Sequence, residues 1–167
     1  MPKDGVCAEI GVWKGEFSDR ILKEASPRRF HLIDPWLFQG EFPDRMYGGS
    51  VATNQADMDA IFETVKRRLG ADPRVVIDRQ KSEAALAGYP DRYFDWVYID
   101  GNHYYDFVLS DLELCFSKVK VGGYICGDDY TWGKELKLPV KRAVTDFTRR
   151  HHIRSLSVIG SQYLIRI

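Results

Sequence analysis

The sequence predicts an α/β protein whose mostly parallel sheet is covered by helices on both faces. Two observations predict it. Apolar runs of strand length alternate along the chain with segments of helical period, the pattern of parallel strands joined by helical crossovers. Two of those runs also end in acid: D-W-V-Y-I-D at Asp100, and V-G-G-Y-I-C-G-D-D at the pair Asp128-Asp129. A carboxylate closing an apolar strand is costly unless it sits at a solvated edge or has a ligand. The carboxyl edge is where open α/β sheets bind their ligands.

The elements follow in order. Val6–Val12 reads as a short strand ending in glycines, and Glu16–Glu24 as a helix with Phe17, Ile21 and Leu22 on one face. Arg29–Ile33 is a second strand, running into Asp34-Pro35. From Trp36 to Gln55 no steady period appears, which predicts a long loop of the kind that carries function. Ala56–Leu69 has Met58, Ile61, Phe62, Val65 and Leu69 at helical spacing, and Gly70 suits its C-terminal cap. Arg74–Asp78 is a third strand. Ser82–Ala87 is a short helix that Ser82 and Glu83 would start.

Asp95–Asp100 is the fourth strand. Tyr104–Val119 is a helix with Phe107, Val108, Leu112, Cys115, Phe116 and Val119 on its inner side. Gly122–Gly127 is the fifth strand, Val140–Arg150 a helix, and Ile153–Ile159 with Gln162–Ile167 a closing hairpin around Gly160-Ser161. That hairpin would add an antiparallel strand to the sheet.

Composition excludes several classes. At 167 residues the chain suits one domain with a sizeable core. Its zero net charge leaves no electrostatic footprint for nucleic acid or an anionic membrane. No apolar run reaches membrane-span length, and the first ten residues lack a signal peptide's apolar region. Three widely spaced cysteines, Cys7, Cys115 and Cys126, lie in apolar stretches and read as reduced core residues of a cytoplasmic protein. No Cys/His spacing suits structural zinc.

The segment C-A-E-I-G-V-W-K-G joins the first strand to the first helix. Gly11 and Gly15 would let the backbone turn and approach a ligand closely. Glu9 is an acid within an apolar strand. Asp34 ends the next strand about twenty residues on, where a carboxylate can accept from ribose hydroxyls. A glycine loop with a downstream acid suits an adenosine-bearing ligand. The spacing is not G-x-G-x-x-G, and Trp13 stands where pyrophosphate would demand another glycine. A ligand of adenosine and an amino-acid tail makes no such demand. Glu9 would then orient the loop or reach the tail's ammonium.

With E-I-G-V-W-K-G, Asp34, Y-I-D-G-N-H and V-G-G-Y-I-C-G-D-D on the page, the chain resembles the class I S-adenosylmethionine-dependent methyltransferases. I-D-G-x-H-x-Y followed by G-G-x-x-x-x-D-D is most similar to the small-molecule O-methyltransferases of the macrocin and aminocoumarin type. The resemblance spans Cys7 to the end. It implies a Rossmann-like, seven-stranded sheet with the last strand antiparallel. It implies methyl transfer from S-adenosyl-L-methionine to a hydroxyl of a small molecule. Glu9, Gly11, Val12, Trp13 and Gly15 would form the cofactor loop, and Asp34 would bind the ribose. Ser82 would lie near the adenine, and Asp100 would border the cofactor. Asp100, Asp128 and Asp129 would hold Mg²⁺ or another hard divalent cation.

Members of that family carry a longer segment before the first motif, whereas six residues precede Cys7 here. A shortened chain, a minimal member, or a homo-oligomer whose partner subunit closes the site would each account for this.

Neighbouring strands lie about 4.8 Å apart, so carboxylates at their ends could converge on one cation. Asp128 or Asp129 could instead cap the following turn, and Asp100 could touch cofactor or substrate directly. His103, three residues after Asp100, is the candidate base, with packing across the turn as its other reading. His151 and His152 end a helix and would complement its dipole. Trp36, Phe38, Phe42, Tyr47, Tyr104, Tyr105, Tyr130 and Trp132 are candidates for an acceptor pocket. Lys134, Lys137, Lys141 and Arg142 read as a solvated face. Two rival functions remain at this point. One is a non-catalytic cofactor-binding module, and the other a nicotinamide-dependent oxidoreductase, which the glycine spacing disfavours.

Overall fold

The structure is a computed structural model that describes residues 1–40 and 51–167. In chain order its elements are β1 (Val6–Ile10), α1 (Glu16–Glu24), β2 (Arg29–Ile33), α2 (Gln55–Leu69), β3 (Val75–Asp78), α3 (Ser82–Ala87) and β4 (Phe94–Ile99). Then come α4 (Tyr105–Lys118), β5 (Val119–Gly127), a 3-10 turn (Lys134–Leu136), α5 (Pro139–Arg150), β6 (Leu156–Ile159) and β7 (Gln162–Arg166).

The strands form one seven-stranded sheet in the order β3-β2-β1-β4-β5-β7-β6. β1 pairs in parallel with β2 and β4, β2 with β3, and β4 with β5. β7 runs antiparallel to both β5 and β6. The expected mostly parallel sheet with an antiparallel last strand is therefore the sheet observed. Strand order reverses between β1 and β4, and such a reversal opens a crevice at the carboxyl ends.

Alternation along each strand sends side chains to two cores. Cys7, Phe30, Leu32, Trp96 and Tyr98 pack with Ile21, Leu22, Met58 and Val65 from α1 and α2. Ala8, Ile33, Val97, Ile99 and Ile125 pack with Leu86, Leu112, Val144 and Phe147 from α3, α4 and α5. Both faces are covered, which is why the strands read as nearly continuous apolar runs.

Several boundaries differ from the sequence reading, each for a local reason. β1 stops at Ile10 because Gly11 turns into the left-handed region, with φ 86. β5 begins at Val119, which pairs with Phe94; an irregularity before Tyr124 takes up the two glycines. β6 begins only at Leu156, since the Ile153 amide donates to the Thr148 carbonyl at 2.9 Å and so still belongs to the end of α5. Ser82 is not a cap: Lys81 precedes the helix and no side chain caps it. Phe107 is not inward but 44% exposed. All three cysteines are free and buried, as expected.

Candidate active site

The loop between β1 and α1 is shaped by its backbone. Gly11 carries φ 86, and a Cβ there would lie 2.1 Å from the Asp100 carbonyl oxygen. The Asp100 amide in turn donates to the Ile10 carbonyl at 2.7 Å, so the ends of β1 and β4 are locked together. Gly15 precedes α1 with φ 70. Between them Trp13 takes φ 47, a conformation a bulky residue holds only when its surroundings enforce it.

Asp34 supplies that enforcement. Its Oδ2 accepts from the amides of Val12 and Trp13, both at 2.9 Å, and its Oδ1 accepts from the Trp36 amide at 2.7 Å. The Trp36 indole donates to the Trp13 carbonyl at 2.8 Å. Asp34 is 1% exposed and lies in the cavity wall. It organises the loop, a task the sequence reading did not assign to it. Glu9 is also 1% exposed and accepts from the Ser18 hydroxyl, which pins α1 to the end of β1. Burial, with the charges of Asp100 and Asp34 adding to it, pushes the Glu9 carboxyl up to about 8 against the Ser18 hydrogen bond.

Beyond β4 a second group converges. His103 Nε2 lies 3.5 Å from Asp100 Oδ1 and 3.2 Å from Asp129 Oδ2. The residue is half-buried, but its Nε2 atom is buried and makes no hydrogen bond of normal geometry among the described residues. Asp129 adopts φ 59, and burial followed by the charges of Asp100 and Asp128 raises its carboxyl, while His103 opposes the rise. One donor atom from each of Asp100, His103 and Asp129 fits within 4.8 Å.

Asp128 points elsewhere. Its Oδ1 accepts from the Asp129 amide at 2.8 Å and from Ser161 Oγ at 2.5 Å, and its Oδ2 from the Tyr98 hydroxyl at 3.4 Å. The converging set thus has His103 where the sequence reading placed Asp128. Two carboxylate oxygens and one imidazole nitrogen at this spacing fit a divalent cation that accepts mixed ligands. An all-oxygen site would suit Mg²⁺ better.

A cavity of about 680 Å³ joins the two groups, within the range of about 300–1,000 Å³ usual for small-molecule sites. Glu9, Gly11, Val12, Trp13 and Asp34 line one part, and Asp100, His103 and Asp129 another. Gly15 adjoins through the loop, and Ser82 is also in the wall.

The expected aromatic pocket is largely replaced. Of its members among the described residues, Trp132 lines the cavity, beside the His103 ring at a centroid distance of 5.4 Å. Trp36 is fully buried and packs at a tilt against Phe62, while Tyr130 packs on Tyr163 and Tyr105 donates to Asp146. Phe42 and Tyr47 lie outside the described residues. Trp13, Phe17 and Phe107 supply the apolar wall instead. Lys134, Lys137, Lys141 and Arg142 are exposed, as expected. His151 reaches Glu113 at 2.7 Å, a side-chain partner the dipole argument did not foresee.

Two polar residues went unnoticed in the sequence. Ser18 supports Glu9, and Asp111 lines the cavity with 6% exposure. Asp111 had a readable signal: a charge on the inner face of α4 between Val108, Leu112 and Cys115.

Comparison with known proteins gives this geometry relatives. A family model described as a methyltransferase domain matches residues 8–130. The uncharacterized protein R132 of Acanthamoeba polyphaga mimivirus is 38% identical over 144 residues, which is 83% of this chain and 58% of that protein. The chain therefore spans 58% of the length of that curated relative. The solved structure of the O-methyltransferase NovP superposes with a TM-score of 0.66 at 20% identity, covering 97% of this chain and 71% of that one. A putative S-adenosyl-L-methionine-dependent methyltransferase from Methanococcus maripaludis gives 0.65 at 14% identity, covering 98% and 78%. Spermidine synthase from Thermotoga maritima gives 0.59 at 15% identity, covering 98% and 52%. At these identities the solved structures establish the shared fold.

Proposed function

This chain belongs to the methyltransferase domain family, and we propose that it transfers the methyl group of S-adenosylmethionine to a hydroxyl of a small molecule. The observation that carries the reading is the continuity of one cavity from the Gly11 loop to the Asp100–His103–Asp129 group. A cofactor seated on the loop would present its methyl beside a histidine flanked by carboxylates.

In this reading the loop from Gly11 to Gly15 receives the cofactor's ribose and amino-acid parts. Asp34 and Glu9 hold the loop in its strained shape, so the site is formed before the ligand arrives. Asp34, in the wall beside the loop, meets the ribose hydroxyls, and Ser82 borders the adenine. His103 Nε2 takes the acceptor's proton. Asp100 and Asp129 stabilise the imidazolium that results, as carboxylates beside a histidine do. The acceptor oxygen then attacks the sulfonium methyl in line, and the neutral thioether leaves. Alignment within the cavity supplies much of the acceleration. Asp100 and Asp129 are the residues that would hold a divalent cation. When bound, it would lower the pKa of the acceptor hydroxyl by Lewis acidity.

The apolar wall of Trp13, Phe17, Phe107 and Trp132 suits an acceptor with a flat or apolar body. The test is incubation with methyl-labelled S-adenosylmethionine and a panel of phenols, sugars and polyketide alcohols. Label should appear on oxygen of at least one acceptor class. Cofactor binding with no transfer to any acceptor would favour a non-catalytic module.

A further inference from the structure

The end of α5 carries a second concavity, about 550 Å³ and open to solvent, lined by Thr145, Thr148, Arg149, His152, Ile153 and Arg154. It shares no lining residue with the larger cavity. α5 crosses from the end of β5 to the start of β6, and these two strands run the same way, each antiparallel to β7. The last turn of α5 therefore lies at the amino edge of the sheet, opposite the carboxyl edge that bears the candidate active site.

The chain reverses there on its own hydrogen bonds. The amides of His151, His152 and Ile153 turn back to the carbonyls of Phe147, Arg149 and Thr148, at 3.1, 3.2 and 2.9 Å. The turn, with His152 at φ 55, brings Arg154 to the same concavity as Arg149. Thr148 is buried and Ile153 half-buried, while Arg149, His152 and Arg154 are exposed. Among the described residues no acid lines the concavity, and neither His152 nor Arg154 has a side-chain partner. Arg149 meets Asp146 at 3.1 Å, but its side chain is 74% exposed, and such a pair holds it only weakly.

A helix dipole asks for positive charge in the last turn, and Arg149 and Arg150 already stand there. That demand does not account for Arg154, which lies beyond the turn. Two guanidiniums that stay charged at every working pH thus share one concavity, and the His152 ring adds at least one N–H in either protonation state. The Thr145 and Thr148 hydroxyls donate to the carbonyls of Lys141 and Val144, at 2.7 and 2.9 Å. The side-chain donors left for a ligand are those of Arg149, His152 and Arg154. Such a set favours an anion with several acceptor oxygens over a neutral ligand, and guanidinium forks match the oxygens of a phosphate.

We propose that this concavity is a second ligand site, which takes a phosphate group between Arg149, His152 and Arg154. It stands independently of the reading of the larger cavity.

The experiment is calorimetric titration of the whole chain with inorganic pyrophosphate, at constant ionic strength and with a chelator present. The native protein should bind it at one site. Arg154→Ala should weaken binding about tenfold to a hundredfold, as loss of a charge-assisted hydrogen bond does. Its melting temperature and its affinity for S-adenosylhomocysteine should stay as in the native protein. Arg142→Ala removes an exposed cation of the same helix outside the concavity and should leave pyrophosphate binding unchanged. A second arm finds the source of the phosphate. Sedimentation with vesicles of phosphatidylcholine and phosphatidic acid, lost in Arg154→Ala, would place it on a lipid headgroup; retention in solution would place it on a soluble molecule. No binding of pyrophosphate by the native protein would overturn the site. Equal weakening by Arg142→Ala and Arg154→Ala would overturn it too, because it would show diffuse attraction to α5 rather than a built pocket.

Discussion

The α-carbon of Gly11 faces the carbonyl of Asp100 so closely that a Cβ would lie 2.1 Å from its oxygen. This contact joins the loop proposed to hold the cofactor to the acid at the end of β4. Neither partner can yield cheaply, because both are backbone and Gly11 also holds φ 86. Gly11→Ala should therefore destabilise the fold by about 3 kcal/mol or more. Urea unfolding would measure it. An unchanged midpoint would mean that the two strand ends are not packed this way.

Glu9 makes stability depend on pH. Its folded carboxyl titrates near 8 against an ordinary 4.5. The folded state keeps a proton that the unfolded chain releases, so stability falls as pH rises from about 4.5 through about 8. Glu9→Gln cannot ionise and keeps a polar partner for Ser18. Relative to this variant, the native protein should lose roughly 3–5 kcal/mol across that window. Melting temperatures of both proteins at pH 5 and pH 8 check it; a constant difference would refute it.

His103 should matter for turnover rather than for cofactor affinity. It faces Asp100 and Asp129 in the cavity wall. His103→Asn should lower kcat by about 10²–10⁴ and leave S-adenosylhomocysteine binding nearly unchanged. Parallel loss of binding would place His103 in the cofactor subsite instead.

Cation binding separates the two adjacent acids. Addition of millimolar Mn²⁺ or Mg²⁺ should raise the melting temperature by mass action on the folded state. Asp129→Ala should abolish the rise. Asp128→Ala should keep it, because Asp128 faces Ser161 and the Asp129 amide rather than the cluster. Loss in both variants would restore Asp128 to the ligand set.

The sheet was legible in the sequence because its central strands β1, β2 and β4 are largely buried on both faces and the longer helices bury apolar residues at helical spacing. The acids at strand ends were legible as well, since a charge closing an apolar run needs a reason. Side-chain direction was not. Asp128 and Asp129 are adjacent, yet one carboxylate meets Ser161 and the other His103, with a left-handed backbone at Asp129. No spacing rule contains that turn. Nor could spacing show that Asp34 spends its oxygens on the amides of Val12, Trp13 and Trp36. The pocket aromatics were misplaced for a related reason. Trp36 lies in an apolar-rich loop, but its indole found the Trp13 carbonyl and went inward. Asp111 was visible as a charge on an inner helix face and was passed over among its apolar neighbours.

Calorimetric titration of the native protein with S-adenosylmethionine, run beside NAD, tests the central claim most directly. Micromolar binding of S-adenosylmethionine with no heat from NAD is the predicted result. Binding of NAD alone, or no binding of either, would contradict a methyltransferase site in this cavity.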